Sequence, residues 1–179
     1  MKKYIIWFVA SFFAVSCSDG DKSGEVSSWV NPFIGTDAFG HTYPGALVPW
    51  GMVQLSPDTG TEGWNWCSGY HSSDSSIIGF SHTHLSGTGC PDMGDILFMP
   101  ISGNPLFEPG SRENPDEGYR SRFSKNTEKA HPGYYSVILD DEDVKVELTA
   151  SERVGLHRYT FGNRSERSEE HTSELQSRQ

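Results

Sequence analysis

An all-β fold, an antiparallel β-sandwich preceded by a signal peptide, is predicted by three features of the sequence. Apolar and polar residues alternate along Val144–Ala150, which is the pattern of a strand with one buried and one exposed face. The 179 residues include 19 Gly and 10 Pro, which divide the chain into short segments. After the N-terminal apolar run, no stretch shows the 3.6-residue apolar period of a helix. Short strands broken by turn residues are typical of a sandwich or barrel.

The first predicted strands are short and apolar. Met52–Leu55 and Ile77–Leu85 are candidates, and Asp95–Ile101 has the continuous apolar character of a more fully buried strand. Residues 102–132 contain several prolines and charges and few apolar side chains. We predict a surface excursion there, with one strand at Tyr119–Phe123.

A hairpin is predicted near the end of the domain. Tyr134–Leu139 is rich in aromatic and β-branched residues, and the polar run Asp140-Asp141-Glu142-Asp143 separates it from Val144–Ala150. Two strand-forming runs joined by such a turn indicate antiparallel pairing. Val154–Phe161 continues the pattern as a third strand.

Residues 1–16 have the pattern of a lipoprotein-type signal peptide. Lys2-Lys3 precedes the apolar run Tyr4–Val15, and small residues lead to Cys17. The exit resembles a bacterial lipobox, so Cys17 is predicted to be lipidated; an ordinary cleaved signal with an incidental cysteine is the alternative. We expect an exported protein of the periplasm, outer membrane or cell surface, with residues 17–28 as a polar tether.

The last residues differ from the domain before them. Residues 164–179 are polar and charged, with Leu175 as the one apolar residue. The run Arg167–Ser177 resembles the conceptual translation of a sequencing-adapter oligonucleotide, so we interpret 167–179 as adapter-derived; a disordered tail is the alternative. The sandwich, complete or incomplete, is assigned to residues 29–166.

The charge balance narrows the classes of partner. The chain has 14 Lys and Arg against 24 Asp and Glu, a net charge of −10, and its basic residues form no cluster. Binding to a phosphate backbone requires a basic patch, so nucleic acid is not expected as a partner. Glycans and neutral small molecules remain open.

Aromatic side chains are concentrated in loops. Residues 31–57 combine Gly, Pro and aromatic residues, which gives shaped loops suited to a pocket wall. Trp64, Trp66 and Tyr70 follow within seven residues, and such a group can stack against the apolar face of a sugar ring. Packing of the two tryptophans on one core face explains the same spacing.

His82 and His84 are two residues apart, so on a strand they would project from one face and offer two nitrogens to a metal. A third ligand is not visible at a useful spacing, and neutral histidines lining a polar pocket are the alternative. Cys67 and Cys90 could pair in an exported protein, but we favour two free, buried thiols.

Three runs resemble the start of glycoside hydrolase family 92. They are V-N-P-F-I-G-T-D at 30–37, G-H-T-Y-P-G-A-L-V-P-W-G-M-V-Q-L-S-P-D-T at 40–59, and G-Y-H-S-S-D-S-S-I-I-G-F-S-H-T-H-L-S-G-T-G-C-P-D-M-G-D-I-L-F-M-P at 69–100. The resemblance covers Val30 to about Phe161. It implies a β-sandwich N-terminal domain of an exo-acting, calcium-dependent, inverting α-mannosidase, an enzyme class often exported by bacteria to trim mannose from N-glycans or yeast mannan.

The same resemblance limits what this chain can do. Inversion needs two carboxyl groups about 6.5–9.5 Å apart, and the family's similarity implies that these groups, and most of the calcium site, lie on a following helical-barrel domain. No catalytic residue and no metal site is therefore expected here, and this chain alone should be inactive. The expected partners are mannose-containing glycans, the missing catalytic domain, and a membrane through the lipid anchor only.

The resemblance also implies that the sandwich supplies one wall of an active centre between two domains. The residues expected to form this wall are Trp64, Trp66, Cys67, Tyr70, His82, His84, Asp37 and His41. Two other hypotheses remain: a free-standing, lipid-anchored carbohydrate-binding module without hydrolase activity, and a metal protein that uses His82 and His84.

Overall fold

The computed structural model describes residues 26–87, 89–90 and 92–162. The predicted signal peptide, Cys17, the first nine residues of the tether and the predicted adapter-derived tail lie outside the described residues. The described residues form antiparallel β-strands and short 3-10 helices at Val26–Trp29, Trp64–Trp66 and Pro115–Glu117. Among them, no helix has the length and apolar character needed to cross a bilayer.

The described strands form three antiparallel sheets. The first contains β1 (Ala46–Leu47), β2 (Gln54–Asp58) and β4 (Gly79–Ser81) in that order, and the second pairs β3 (Ser76–Ile77) with β5 (Ser121–Arg122). The third contains β6 (Lys129–His131), β7 (Tyr134–Leu139), β8 (Val144–Ala150) and β9 (Gly155–Phe161) in sequential order. Strands β1 and β2 pack against β8, so two layers enclose the core and the prediction of a β-sandwich is confirmed.

The core lies where the third sheet faces the first. Val144, Val146 and Leu148 of β8 are at most 1% exposed and alternate with residues that face solvent. Leu55 of β2 and Phe80 of β4 are fully buried against them. The period of two therefore creates the core face directly, since alternate side chains of a strand point to opposite sides of a sheet.

The predicted hairpin is confirmed with its boundaries. Val137 pairs with Val146 and Leu139 with Val144, and residues 140–143 form the turn. The third predicted strand begins one residue late, because the Ser151 N–H donates to the Val154 carbonyl at 2.8 Å and this turn occupies Val154.

Two strand predictions in the first half were too long. Ile77–Leu85 is divided between two sheets, because the Ile78 N–H donates to the Asp58 carbonyl at 2.8 Å and the chain changes partner there. Asp95–Ile101 is not a buried strand: Ile96 is 47% exposed with a φ of 59°. This segment contributes an isolated bridge between Phe98 and Phe80.

The predicted surface excursion contains more pairing than its composition indicated. The strand expected at Tyr119–Phe123 is present as the shorter β5. Strand β6 was missed, since Lys129–His131 has no apolar alternation; it forms an edge strand of the third sheet. It is stabilised by its backbone pairing with β7 rather than by burial of its side chains.

Candidate functional site

Trp64 is the predicted wall residue whose large aromatic ring is most exposed to solvent. It opens a 3-10 helix and is 57% exposed. The buried imidazole of His41 lies against it edge to face, with the ring centroids 4.7 Å apart. A side chain at Gly89 would place its Cβ 2.8 Å from the indole, so glycine there leaves room for the ring. The Trp64 ring therefore packs against His41 on one side and is exposed to solvent on the other.

Trp66 is placed differently although it is only two residues away. Its Nε1–H donates to Asp74 Oδ2 at 2.6 Å, and the guanidinium of Arg112 lies 3.5 Å from the ring centroid. This cation–π contact covers a face of the indole. The Trp66 ring is half-buried and joins the loop around Arg112 to the site. The spacing of Trp66 from Trp64 in the sequence does not indicate this contact.

Tyr70 lies inside the domain. It is 1% exposed, and its hydroxyl contacts both carboxylate oxygens of Glu128, at 2.8 and 3.0 Å. Burial and the nearby Glu128 charge raise the pKa of Tyr70 above its usual range, so the hydroxyl remains a hydrogen-bond donor. Tyr70 thus supports the wall without reaching its surface.

Cys67 is also 1% exposed, and its thiol donates to the Trp64 carbonyl at 3.0 Å. Burial raises the pKa of this thiol, which keeps it protonated. No disulfide joins Cys67 to Cys90. The prediction that both thiols are buried is wrong for Cys90, which is exposed.

His84 forms a buried ion pair that the sequence did not reveal. Its Nδ1 is 2.7 Å from the Gln54 carbonyl, and its Nε2 is 2.9 Å from Asp58 Oδ1 and 3.1 Å from Ser81 Oγ. The carbonyl and the carboxylate can only accept, so both ring nitrogens carry protons and His84 is an imidazolium. Burial by itself lowers the pKa of His84, but the Asp58 carboxylate and its hydrogen bond raise it above the ordinary value.

Backbone groups complete the surroundings of the Asp58–His84 pair. The second oxygen of Asp58 accepts from the Ser81 N–H at 3.0 Å. Gly69 lies against the pair with a φ of +81°, and a Cβ there would overlap the Asp58 carboxylate. Asp58 was missed as a site residue, because the strand predicted at Met52–Leu55 ends three residues before it, whereas the observed strand β2 extends from Gln54 to Asp58.

His82 does not share a site with His84, because β4 ends at Ser81 and the two side chains reach different partners. His82 Nε2 is 3.4 Å from His157 Nε2 on β9, and His82 Nδ1 is 3.2 Å from the Ile96 carbonyl. The metal hypothesis based on His82 and His84 is therefore wrong in its pairing. His157 was not predicted, since 75 residues separate it from His82.

Asp37 and His41 flank the same loops. The Asp37 side chain is 75% exposed and lies 3.7 Å from His71 Nε2. His41 is 6% exposed, and its buried Nε2 has no hydrogen-bond partner among the residues that the structure describes. Of the eight predicted wall residues, Trp64, Asp37 and the half-buried His82 and Trp66 are accessible, while Cys67, Tyr70, His84 and His41 lie behind the surface.

The part of the chain that the structure describes contains no group of three His, Cys, Asp or Glu side chains that could hold a metal ion. A cavity of about 20 Å³ lies beside Asp58, Trp66, Cys67 and His84. This volume is sufficient for one water molecule and too small for a sugar.

Comparison with known proteins gives consistent matches. Residues 29–175 match the family model of the glycosyl hydrolase family 92 N-terminal domain. A family GH92 α-mannosidase from Bacteroides thetaiotaomicron, solved in complex with mannoimidazole, is 50% identical with a TM-score of 0.75, over 76% of this chain and 18% of that chain.

A second solved structure, a family GH92 inverting mannosidase from Bacteroides thetaiotaomicron VPI-5482, is 32% identical with a TM-score of 0.61, over 80% of this chain and 19% of that one. An "uncharacterized secreted glycosidase" of Arthroderma benhamiae is 31% identical over 77% of this chain and 18% of its own length. The chain thus spans about a fifth of the length of these relatives.

Proposed function

Since the chain belongs to glycosyl hydrolase family 92, whose N-terminal domain it contains, we propose that it forms one wall of the glycan-binding cleft of an exported α-mannosidase. The enzyme hydrolyses terminal α-mannosidic bonds with inversion. The 50% identity to a GH92 α-mannosidase solved with mannoimidazole carries this proposal. Export is supported by the relative described as secreted; lipidation at Cys17 extends the proposal and is tested by mass spectrometry of the membrane-bound protein and of Cys17→Ser.

The hydrolysis itself requires groups from the rest of the enzyme. One carboxylic acid protonates the glycosidic oxygen as the bond to C1 breaks, and a carboxylate deprotonates the water that attacks C1 from the opposite face. We assign neither role to the described residues. The exposed Asp37 pairs with His71 at 3.7 Å, and the buried Asp58 is committed to His84.

Calcium belongs to the complete enzyme in this proposal. The ion prefers six to eight oxygen ligands, and the described residues offer no group of three suitable side chains. On the ground of family membership, we assign most of the ligands to the domain that follows. Removal of calcium from the full-length enzyme by a chelator should abolish mannosidase activity, and added calcium should restore it.

Trp64 is the residue to which we assign direct contact with the sugar. Its indole is 57% exposed and its back is supported by His41, so little side-chain entropy is lost when a pyranose ring stacks on it. Asp37, whose side chain is 75% exposed, can accept hydrogen bonds from sugar hydroxyls beside it. Trp66 orders this surface through Asp74 and Arg112.

Several exposed apolar residues support the proposal that this domain contacts a further domain. The described surface includes side chains of this kind with 71–99% exposure: Trp29, Ile34, Phe39, Trp50 and Met52. Exposed apolar surface of this extent is typical of an interface. We assign it to contact with the catalytic domain, and expect the chain alone to associate at high concentration in light scattering.

The decisive experiment uses the full-length gene product. Sequencing of the locus across codons 164–179 and beyond should reveal a continuous frame that encodes the carboxylate-bearing domain, and a stop directly after codon 179 would overturn the hydrolase proposal and leave glycan binding. In the full-length enzyme, Trp64→Ala should lower kcat/KM for an α-mannoside about tenfold, since an aromatic contact contributes about 0.5–1.5 kcal/mol beyond its area.

The matched control is Phe107→Ala, which removes an aromatic ring that is also 57% exposed but lies on a different loop. It should leave kcat/KM unchanged. An effect of Phe107→Ala equal to that of Trp64→Ala would place the sugar elsewhere. Proton NMR of the first product, which should be the β-anomer of mannose, tests inversion independently of both variants.

A further inference from the structure

The pairing of His82 with His157 is a feature that the proposed function does not use. The two Nε2 atoms are 3.4 Å apart, which is longer than the usual 2.7–3.2 Å of an N–H hydrogen bond. Two ligand atoms that are each about 2.0–2.1 Å from a tetrahedral metal are about 3.3–3.4 Å apart. The observed separation therefore equals that of neighbouring ligands on one metal ion.

The outer nitrogens of both rings have partners of the kind that orient metal ligands. His82 Nδ1 is 3.2 Å from the Ile96 carbonyl, which can only accept, so Nδ1 carries the proton and Nε2 presents a lone pair. His157 Nδ1 is 2.8 Å from the Tyr159 hydroxyl, which can accept from it in the same way. Such outer hydrogen bonds fix the tautomer of ligating histidines.

Gly155 and Phe98 are close neighbours of the two imidazoles. Gly155 lies against His82, and a Cβ at this position would be 2.9 Å from His82 Nε2. Phe98 covers the other side, with its centroid 5.4 Å from His82 and 5.2 Å from His157. Both imidazoles are only half-buried, so water can reach the point between them.

We propose that His82 and His157 form a two-histidine site for a divalent transition metal such as Zn²⁺, with water or an external ligand completing the tetrahedron. Imidazole nitrogen favours these metals over Ca²⁺, which binds oxygen. The site is separate from the calcium assigned to the complete enzyme. A bound ion would connect β9 to the segment that follows β4, and so would cross-link the third sheet to the first.

The test is a titration of the tag-free chain with Zn²⁺, and with Co²⁺ as a spectroscopic probe. We expect one saturable site per chain, a visible Co²⁺ absorption of tetrahedral intensity, and a rise in Tm with Zn²⁺ because the ion binds the folded state. His82→Ala and His157→Ala should each weaken binding at least about tenfold. His131→Ala removes an exposed histidine that stacks on Tyr134, and should change nothing.

Two further measurements keep the proposal open to refutation if a histidine variant fails to fold. Gly155→Ala retains both ligands but places a methyl group against His82 Nε2, so it should also weaken Zn²⁺ binding. In the unmodified chain, nitrogen NMR should show Zn²⁺-induced shifts at Nε2 of these two histidines. The proposal would be overturned by shifts confined to other histidines, or by the absence of saturable binding. It would also be overturned if the His82 and His157 variants bound Zn²⁺ as tightly as the unmodified chain.

Discussion

In the β7–β8 hairpin all the buried side chains except Ser136 are hydrophobic, whereas between β2 and β4 several are polar or charged. Val137, Val146 and Leu148 are at most 1% exposed in the hairpin. Asp58 and His84 are 2% and 4% exposed in the other region. The hairpin is stabilised by removal of apolar surface from water, which tolerates small changes of shape. The polar region depends on complete pairing, since a buried charge without its partner is costly.

Loss of one partner from the buried ion pair should have the largest effect on stability. Asp58→Asn leaves the His84 imidazolium without its counter-charge at 2.9 Å, and we expect a loss of about 3–5 kcal/mol in the free energy of unfolding. Chemical denaturation measures it.

The matched control for this prediction is the double variant Asp58→Leu with His84→Leu. It removes both charges at once, so it should lose less stability than Asp58→Asn alone. A double variant that is less stable than the single one would show that the hydrogen bonds of the pair with the Ser81 N–H and the Gln54 carbonyl outweigh the cost of burying its charges.

A truncation in the hairpin should come next. Leu148→Ala creates a cavity among side chains that cannot fully close around it, and we expect a loss of about 2–5 kcal/mol that is independent of pH. Ile138→Ala on the same hairpin should cost less, because Ile138 is 38% exposed. Equal losses from the two variants in urea denaturation would mean that burial does not govern this region.

The smallest expected effect is a dependence on pH that belongs to the polar region alone. Because the folded pKa of His84 is raised above 6.5, its contribution is fully present below that pH and is lost as the pH rises through the folded value. The denaturant concentration at the unfolding midpoint should therefore decrease as the pH is raised from about 6.5 to about 8. This range lies below the pH at which thiols and phenols ionise. The double leucine variant should lack this slope; an unchanged slope would assign it to another group.

The two regions also differ in how far the sequence predicted them. The hairpin boundaries follow from a period of two and a run of acidic residues, since both signals are local in the chain. The resemblance of the loop motifs to family 92 gave the right family. The same motifs did not distinguish Trp64, which is 57% exposed, from Trp66, which lies under Arg112, because that contact joins residues 46 positions apart.

The sequence by itself determined strands β7, β8 and β9 of the third sheet, the acidic charge and the family, because alternation, composition and motif are properties of neighbouring residues. Only the tertiary structure decided the roles of the two histidines in the run Phe80–Leu85. His84 is directed to Asp58 and His82 to His157, since strand β4 ends between them and their partners come from distant parts of the chain. A contact between residues far apart in sequence leaves no local signal, and it arises only when distant strands pair or pack against one another.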